Sequence, residues 1–197
     1  GLDLKVPGML YGKVLRSPFP HARILNVDTS KAESLAGVKA VVTGKDLIVR
    51  YGVIVQDQPC YCFDKVRYIG DPVAGVAAVD EDTAEEALEL IKVDYEELPP
   101  VFDPLEAMEP NAPLVHEGLG GYWHGPAFFP VAGTNICSHF KLRRGDVEEG
   151  FQQSDFIVEN TFTTPMIQHC HLEPHVSMAK FEPSRQDTIW SNPQHPY

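Results

Sequence analysis

The chain has 197 residues, of which 43% are hydrophobic and 22% are charged, and these proportions are those of a folded globular protein. Its 28 acidic residues outnumber its 16 basic residues, so the formal net charge is -12 and a phosphate backbone would be repelled. We therefore exclude nucleic-acid binding.

The sequence also disfavours a membrane protein and a secreted protein. No apolar run reaches the roughly 20 residues that cross a bilayer, and the first residues, GLDLKVPGML, lack the features of a signal peptide. The 4 cysteines are too few for a disulfide scaffold, which predicts a cytoplasmic protein with reduced thiols. Because the sequence starts without Met and stops soon after a strand-like segment, we interpret it as part of a longer polypeptide.

The first elements are predicted as short strands and a short helix. Residues 9–17 and 22–28 are rich in β-forming side chains and are separated by a turn with two prolines, so we predict a pair of strands. Ser30 and Glu33 have the spacing of a capping box, which predicts a helix that ends at Gly37. Residues 38–43 then form a candidate buried strand.

Residues 72–98 give the clearest local signal, a predicted βαβ unit. An apolar run is followed by a helix with a second capping box at Thr83 and Glu86, and then by an alternating strand. The acidic residues at the start of this helix complement its dipole, so we interpret them as structural. One apolar stripe should face a sheet, and it contains Ala84, Ala87, Leu88 and Ile91.

From residue 99 to residue 134 the sequence is punctuated by proline and glycine, which predicts a long connection between two domains. We call residues 109–134 the strap. Four aromatic residues indicate that parts of the strap pack on a surface, namely Tyr122, Trp123, Phe128 and Phe129. The glycines at 118, 120 and 121 follow no predicted strand and open no predicted helix, which favours a flexible bend over a dinucleotide motif.

The last third is predicted to be mainly β. Residues 139–146 form a candidate strand, and the spacing of Asp146 and Glu149 predicts the start of a short helix. Residues 155–165, 173–182 and 187–192 are rich in β-branched and aromatic side chains over strand-like lengths.

Four polar residues recur at every second position near the end of the chain: His169, His171, Glu173 and His175. In a strand they would share one face, where imidazoles and a carboxylate could bind zinc or non-haem iron. The alternative is that they satisfy polar contacts at a domain junction, and Pro174 favours it by interrupting the strand.

The cysteines give weaker signals. Cys60 and Cys62 lack the two-residue gap and the second ligand pair of a zinc site. Cys170 has histidines on both sides and could form a Cys-His nucleophile, but neighbouring residues of a strand point to opposite faces.

Three long runs resemble one protein family. The run PGMLYGKVLRSPFPHARILNVDTSKAESLAGVKAVVTGKDL and the later run DKVRYIGDPVAGVAAVDEDTAEEALELIKVDYEELPPVFDPLEAM are similar to the hammerhead domain of xanthine dehydrogenases, aldehyde oxidases, carbon monoxide dehydrogenases and 4-hydroxybenzoyl-CoA reductases. The run FKLRRGDVEEGFQQSDFIVENTFTTPMIQHCHLEPHVSMAKFEP is similar to the start of their cofactor-binding region.

The resemblance implies an α+β fold. An a/b hammerhead domain would cover residues 1–108, the strap residues 109–134, and the first, mainly β, segment of a molybdopterin-binding domain residues 135–197. It also implies that the truncated sheet exposes apolar faces, so that the chain associates with itself or with another chain.

The resemblance further implies a subunit or fragment of a molybdenum-dependent hydroxylase that oxidises a purine, aldehyde, aromatic or CoA-ester substrate with water as the oxygen source. Molybdopterin, with or without a cytosine dinucleotide, would hold Mo, while Fe-S clusters and FAD would lie on partner domains or subunits. This chain alone would be inactive. It carries no catalytic or metal-binding residue of the family, and the positions matching a cofactor-region motif are Gln168, His171 and Glu173.

Two other functions stay open. The same residues would suit a non-catalytic assembly or binding module of such a complex, because a hammerhead contributes walls and interfaces. A stand-alone metalloprotein would instead use the histidine face between His169 and His175.

Overall fold

The computed structural model describes residues 4–182 and 187–192. They divide into two compact units, a larger one of residues 8–142 and a smaller one of residues 4–7 with the described residues from 143 onward. Strands and helices are mixed in the way that the α+β prediction requires. Within the two described ranges, no helix is long and apolar enough to cross a membrane.

The larger unit carries most of the regular structure. Two segments of the connection after residue 99 form short 3-10 helices, at Glu106–Met108 and Leu119–Gly121. The strands and α-helices are β1 (Tyr11–Arg16), β2 (Ala22–Asp28), α1 (Ser30–Glu33), β3 (Val38–Thr43), β4 (Arg50–Tyr51), β5 (Gln58–Pro59), β6 (Lys65–Val66), β7 (Pro72–Ala78), α2 (Glu81–Leu90) and β8 (Lys92–Glu97).

Two three-stranded antiparallel sheets form the centre of this unit. The first has the order β1-β7-β3, with Val76 of β7 opposite Lys13 and Val41. The second has the order β6-β2-β8, with Val27 opposite Val93. The predicted strands β1 and β2 are therefore confirmed as strands but lie in different sheets, because the turn between them moves the chain from one sheet to the other.

The predicted βαβ unit is confirmed as an order of elements but wrong as a sheet. Strands β7 and β8 lie in different sheets and each pairs antiparallel with its neighbours. Their burial explains the two sequence patterns: β7 is the central strand and is covered on both faces, whereas β8 is an edge strand with one face exposed. Hydrophobic patterns report burial and not the identity of the partner strand.

The two capping boxes predicted for α1 and α2 are wrong, because each predicted capping residue already lies inside its helix. Helix α1 already contains Ser30, whose amide and hydroxyl both donate to Asp28 Oδ1, at 3.0 and 2.6 Å. Helix α2 begins at Glu81, because Asp80 Oδ1 accepts the Thr83 amide at 2.8 Å. In each case an aspartate upstream of the predicted hydroxyl accepts a free amide of the first turn, which a short carboxylate does well.

The predicted apolar stripe of α2 is confirmed. Ala84 and Ala87 are fully buried, and Ile91 is buried just after the helix. Lys13 of β1 binds two carboxylates on the outer side of α2, with its Nζ 3.2 Å from Glu81 Oε2 and 2.8 Å from Glu85 Oε1. Glu81 and Asp82 lie in the first turn, where the prediction placed them, and the ion pairs with Lys13 are a further structural role that was not predicted.

The core has two clusters that meet at β7. One joins Ala74 and Val76 to α1 and α2, and the other joins Val73 to Ala22 and Val66. Because successive residues of a strand point to opposite faces, β7 supplies side chains to both clusters. This double burial is the reason for its uninterrupted apolar sequence.

The smaller unit has less regular structure than predicted. Helix α3 (Val147–Gln152) begins as expected, with the Glu149 amide donating to Asp146 Oδ1 at 3.0 Å, and β9 (Ser177–Lys180) pairs antiparallel with β10 (Thr188–Ser191). The strands predicted at 139–146 and 155–165 are wrong, since these described residues join no sheet. They have the composition of strands but no neighbouring strand to complete their hydrogen bonds.

Candidate functional site

The residues predicted to contact a cofactor lie in an extended, exposed segment of the smaller unit. Gln168, His171 and Glu173 are all exposed, and the described residues 154–176 form no helix or strand. Glu173 takes part in an interaction of its own and is not a free carboxylate. The side chains are thus accessible, but this segment alone does not enclose a ligand.

The histidines of this segment stack on one another. The ring centroids of His169 and His171 are 5.6 Å apart with an angle of 11° between the planes, and those of His171 and His175 are 5.3 Å apart with an angle of 28°. Cys170 between them adopts a φ of 48°, an uncommon conformation for a residue other than glycine.

This arrangement gives no support to the metalloprotein hypothesis. A metal ion requires ligand atoms that converge on one point, whereas stacked rings lie side by side. Among the described residues, no group of three or more His, Cys, Asp or Glu side chains is placed to hold a metal ion.

The chemistry of two of these residues fits a molybdopterin. The Gln168 amide both donates and accepts hydrogen bonds, an imidazole such as that of His171 can do the same, and the polar edge of a pterin offers partners of both kinds. The Glu173 carboxylate would suit the amino group of a pterin but would repel a phosphate. Gln168 and His171 are therefore the residues of this segment best suited to hold the group.

The most buried of the cysteines, Cys62, is not a candidate nucleophile. All four are free thiols, and Cys62 is buried. Burial, with the nearby Asp71 carboxylate, raises the pKa of the Cys62 thiol well above its usual range, which keeps it protonated and unreactive.

The larger unit contains a second candidate site, which was missed from the sequence. A cavity of about 310 Å³ opens between the strap and the residues that precede it. We call it the strap cavity. Its lining is mostly apolar and includes Val101 and Leu119. Four of its side chains are charged or strongly polar: Asp57, Asp103, His116 and Asn135.

His116, which lines the strap cavity, has a pKa well below its ordinary value. Its Nε2 lies 3.7 Å from Asp57 Oδ2, and its ring meets that of Tyr122 edge to face with 5.9 Å between centroids. Its Nδ1 is buried and has no hydrogen-bond partner in the part of the chain that the structure describes. Burial and the nearby Arg67 guanidinium lower the pKa of His116 from 6.5 to about 4, so the ring is neutral at pH 7.

Only one sequence signal pointed to this site, the aromatic residues of the strap. Tyr122 and Phe128 are half-buried as predicted, whereas Trp123 and Phe129 are exposed. The bend predicted at the strap glycines is present, but the expected flexibility is wrong, because Leu119 between them is buried and anchors an ordered 3-10 turn. Asp57, His116 and Asn135 share no spacing because they are brought together only by the fold.

Two family profiles match the chain in succession. The profile described as "Aldehyde oxidase and xanthine dehydrogenase, a/b hammerhead domain" matches residues 2–99. The profile described as "Molybdopterin cofactor-binding domain" matches residues 128–197. The boundary of the larger structural unit, at residue 142, falls inside the second match.

Individual relatives agree with the profiles. The chain is 46% identical to a probable xanthine dehydrogenase subunit of Bacillus subtilis, over 99% of this chain and 24% of that protein. It is 36% identical to the nicotinate dehydrogenase large molybdopterin subunit of Eubacterium barkeri, over 99% of this chain and 43% of that protein. The chain thus spans less than half the length of these relatives.

A solved structure extends the similarity to three dimensions. Quinoline 2-oxidoreductase from Pseudomonas putida matches 99% of this chain with a TM-score of 0.79 and 30% identity, over 24% of the solved chain. The resemblance inferred from the three sequence runs is therefore confirmed. The chain belongs to the xanthine dehydrogenase and aldehyde oxidase family of molybdenum hydroxylases, in which it corresponds to part of the molybdopterin-binding large subunit.

Proposed function

We propose that this chain supplies a wall-forming hammerhead domain and a cofactor-contacting segment to the large subunit of a molybdenum hydroxylase. The complete enzyme would oxidise a purine, aldehyde, aromatic or CoA-ester substrate, with water as the oxygen source. The observation that supports this most directly is the order of the two family matches along one chain, hammerhead first and cofactor-binding segment second.

The substrate is not determined by the residues described above. Relatives that match 99% of this chain are named for different substrates, xanthine, nicotinate and carbon monoxide. Similarity to this chain is thus compatible with several substrate classes. The highest of these identities, 46%, makes a purine the first substrate to test.

Molybdopterin, when bound, supplies the metal centre at which oxygen derived from water is transferred to carbon. Gln168 and His171 would hydrogen-bond the pterin or its side chain, and Glu173 would hold the segment in place through its own contact. A cytosine dinucleotide extension is compatible with this assignment.

The electrons released by the reaction would leave through Fe-S clusters and FAD on partner domains or subunits. None of the cysteine spacing of Fe-S sites occurs in this sequence. We place the enzyme in the cytoplasm, where the four free thiols would stay reduced.

The test is to purify the complete protein that contains this chain together with its co-purifying subunits. Molybdenum is measured by elemental mass spectrometry, pterin by fluorescence after oxidation, and turnover with xanthine, nicotinate and an aldehyde as substrates. We expect one equivalent of molybdenum and of pterin per large subunit. An assembled complex without pterin would contradict the proposal and assign the chain to a non-catalytic assembly module.

Two substitutions test the contact residues. Gln168→Ala and His171→Ala should each lower the pterin content, by about tenfold if one charge-free hydrogen bond and its geometry are lost. Gln152→Ala and His139→Ala change the same residue types at exposed positions and serve as controls. Equal pterin content in all four variants would show that Gln168 and His171 do not hold the cofactor.

A further inference from the structure

Two basic side chains of the hammerhead are buried against the strap. The side chains of Lys65 and Arg67, on and just after β6, are only 6% and 7% exposed. A charge removed from water to this degree is costly unless it is paired and hydrogen-bonded. The groups that satisfy these two charges therefore matter to the fold.

Most of the partners of Lys65 lie in the strap. Its Nζ donates to Leu114 O at 3.0 Å and to Glu117 Oε1 at 2.8 Å. The Glu117 side chain is itself 62% exposed, so the strap brings a solvated carboxylate to a buried ammonium.

Arg67 makes a third bond to the strap. Its Nε donates to Val115 O at 3.1 Å, while its two terminal nitrogens bond Lys65 O and Asp64 within the hammerhead. The planar guanidinium thus holds one strap carbonyl in a fixed direction relative to β6.

Asn135 holds the other side of the same strap segment. Its Oδ1 accepts the Val115 amide at 2.8 Å, and its Nδ2 donates to Ala107 O and Pro113 O, both at 3.0 Å. Val115 is therefore bonded on both sides, by Arg67 through its carbonyl and by Asn135 through its amide. We call Lys65, Arg67 and Asn135 the latch.

A second stretch of the strap adds backbone pairing. The Gln56 amide donates to Trp123 O at 2.9 Å and the Gly125 amide to Ile54 O at 3.0 Å, with Val55 and His124 as bridge partners. Arg50 also lies over the Tyr122 ring, 5.2 Å from its centroid. The strap is thus fixed at two places along its length.

We propose that the latch makes the strap part of the hammerhead folding unit and so joins the two regions that the family profiles treat as separate. Lys65 and Arg67 fall within the hammerhead match at 2–99, whereas Asn135 falls within the cofactor-binding match at 128–197. Asn135 therefore connects the start of the cofactor-binding match to the hammerhead through Val115, whose amide donates to Asn135 and whose carbonyl accepts from Arg67. This inference does not depend on the proposed activity.

Hydrogen-deuterium exchange of the full chain tests the latch. In the unchanged protein the amides of Gln56, Val115 and Gly125 should exchange at least about a hundredfold more slowly than in an unfolded chain. A strap that merely tethers two domains would leave these amides unprotected while β7 stays protected, and that result would overturn the proposal without any variant.

Variants of similar size test the individual latch residues. Lys65→Met keeps the length of the side chain. Asn135→Leu keeps the approximate size of the side chain but removes the acceptor of the Val115 amide and both donated hydrogen bonds. Each variant should speed exchange at Val115 by about tenfold, because hydrogen bonds that hold this residue are lost. Lys45→Met and Asn111→Leu make the same changes at exposed positions and should leave that rate unaltered.

Retained protection of β7 shows which variants are folded, and only those are compared. If Val115 exchanges at the same rate in folded latch variants and in their controls, the latch does not hold the strap and the proposal is wrong. If neither latch variant folds, the proposal is decided by the exchange of the unchanged protein.

Discussion

Acidification should weaken the larger unit through His116. The ring is mostly buried, with 21% of its side chain exposed, and it lies near the two positive charges of the latch, Arg67 and Lys65. The carboxylates of Asp57 and Glu117 raise the pKa of His116, but burial and the two positive charges lower it by more. The native state therefore favours the neutral ring. In the unfolded chain the same imidazole would titrate near its ordinary pKa of 6.5.

The size of the effect follows from these two pKa values. Above pH 6.5 the ring is neutral in both states and its contribution to stability is complete. As the pH falls from 6.5 to about 4, the unfolded chain binds a proton that the native state does not, and stability is lost. The two pKa values differ by about 2.5, and one pKa unit corresponds to about 1.4 kcal/mol. The free energy of unfolding should therefore fall by about 3 kcal/mol.

Urea unfolding at pH 7 and pH 4 measures this loss. His116→Phe keeps a ring in contact with Tyr122 and removes the titrating group, and His139→Phe is the control at an exposed position. Carboxylates that titrate over the same range contribute nearly equally to all three proteins. The unchanged protein and the control should therefore lose about 3 kcal/mol more than His116→Phe. Parallel losses in all three would refute the assignment of the acid sensitivity to His116.

Two further predictions concern the core and the exposed segment. Val73→Ala removes two methyl groups at a fully buried position of β7 and should lower the free energy of unfolding by about 2 kcal/mol, whereas Val53→Ala at an exposed position should have little effect in the same urea titrations. The apolar side chains of Phe162 and Met166 are almost fully exposed, so the isolated chain should associate in sedimentation experiments and the double change to serine should reduce this. A monomer at all concentrations would contradict the second prediction.

The elements of the larger unit could be predicted because burial leaves local patterns. The continuous apolar run of β7 and the i, i+3, i+4 stripe of α2 each follow from the geometry of one element. The pairing of strands could not be predicted, because β1 and β2 carry similar patterns yet join different sheets. The strap cavity and the latch could not be predicted either, because the fold brings together residues that are distant in the sequence. Lys65 and Glu117 are 52 positions apart, and Asn135 lies further along the chain.

The error over residues 155–165 concerns the cofactor segment directly. Three apolar residues of this stretch lie two and four positions apart, so that in a strand they would share one face: Phe156, Val158 and Phe162. All three are highly exposed, as in a strand whose apolar face has nothing packed on it. Three residues beyond this stretch lies Gln168, and His171 follows on the same unpaired backbone. On the proposed function, other parts of the large subunit would supply the missing strands and the apolar cover. The cofactor contacts would then become ordered only in the complete subunit, so pterin binding and the burial of Phe162 should arise together.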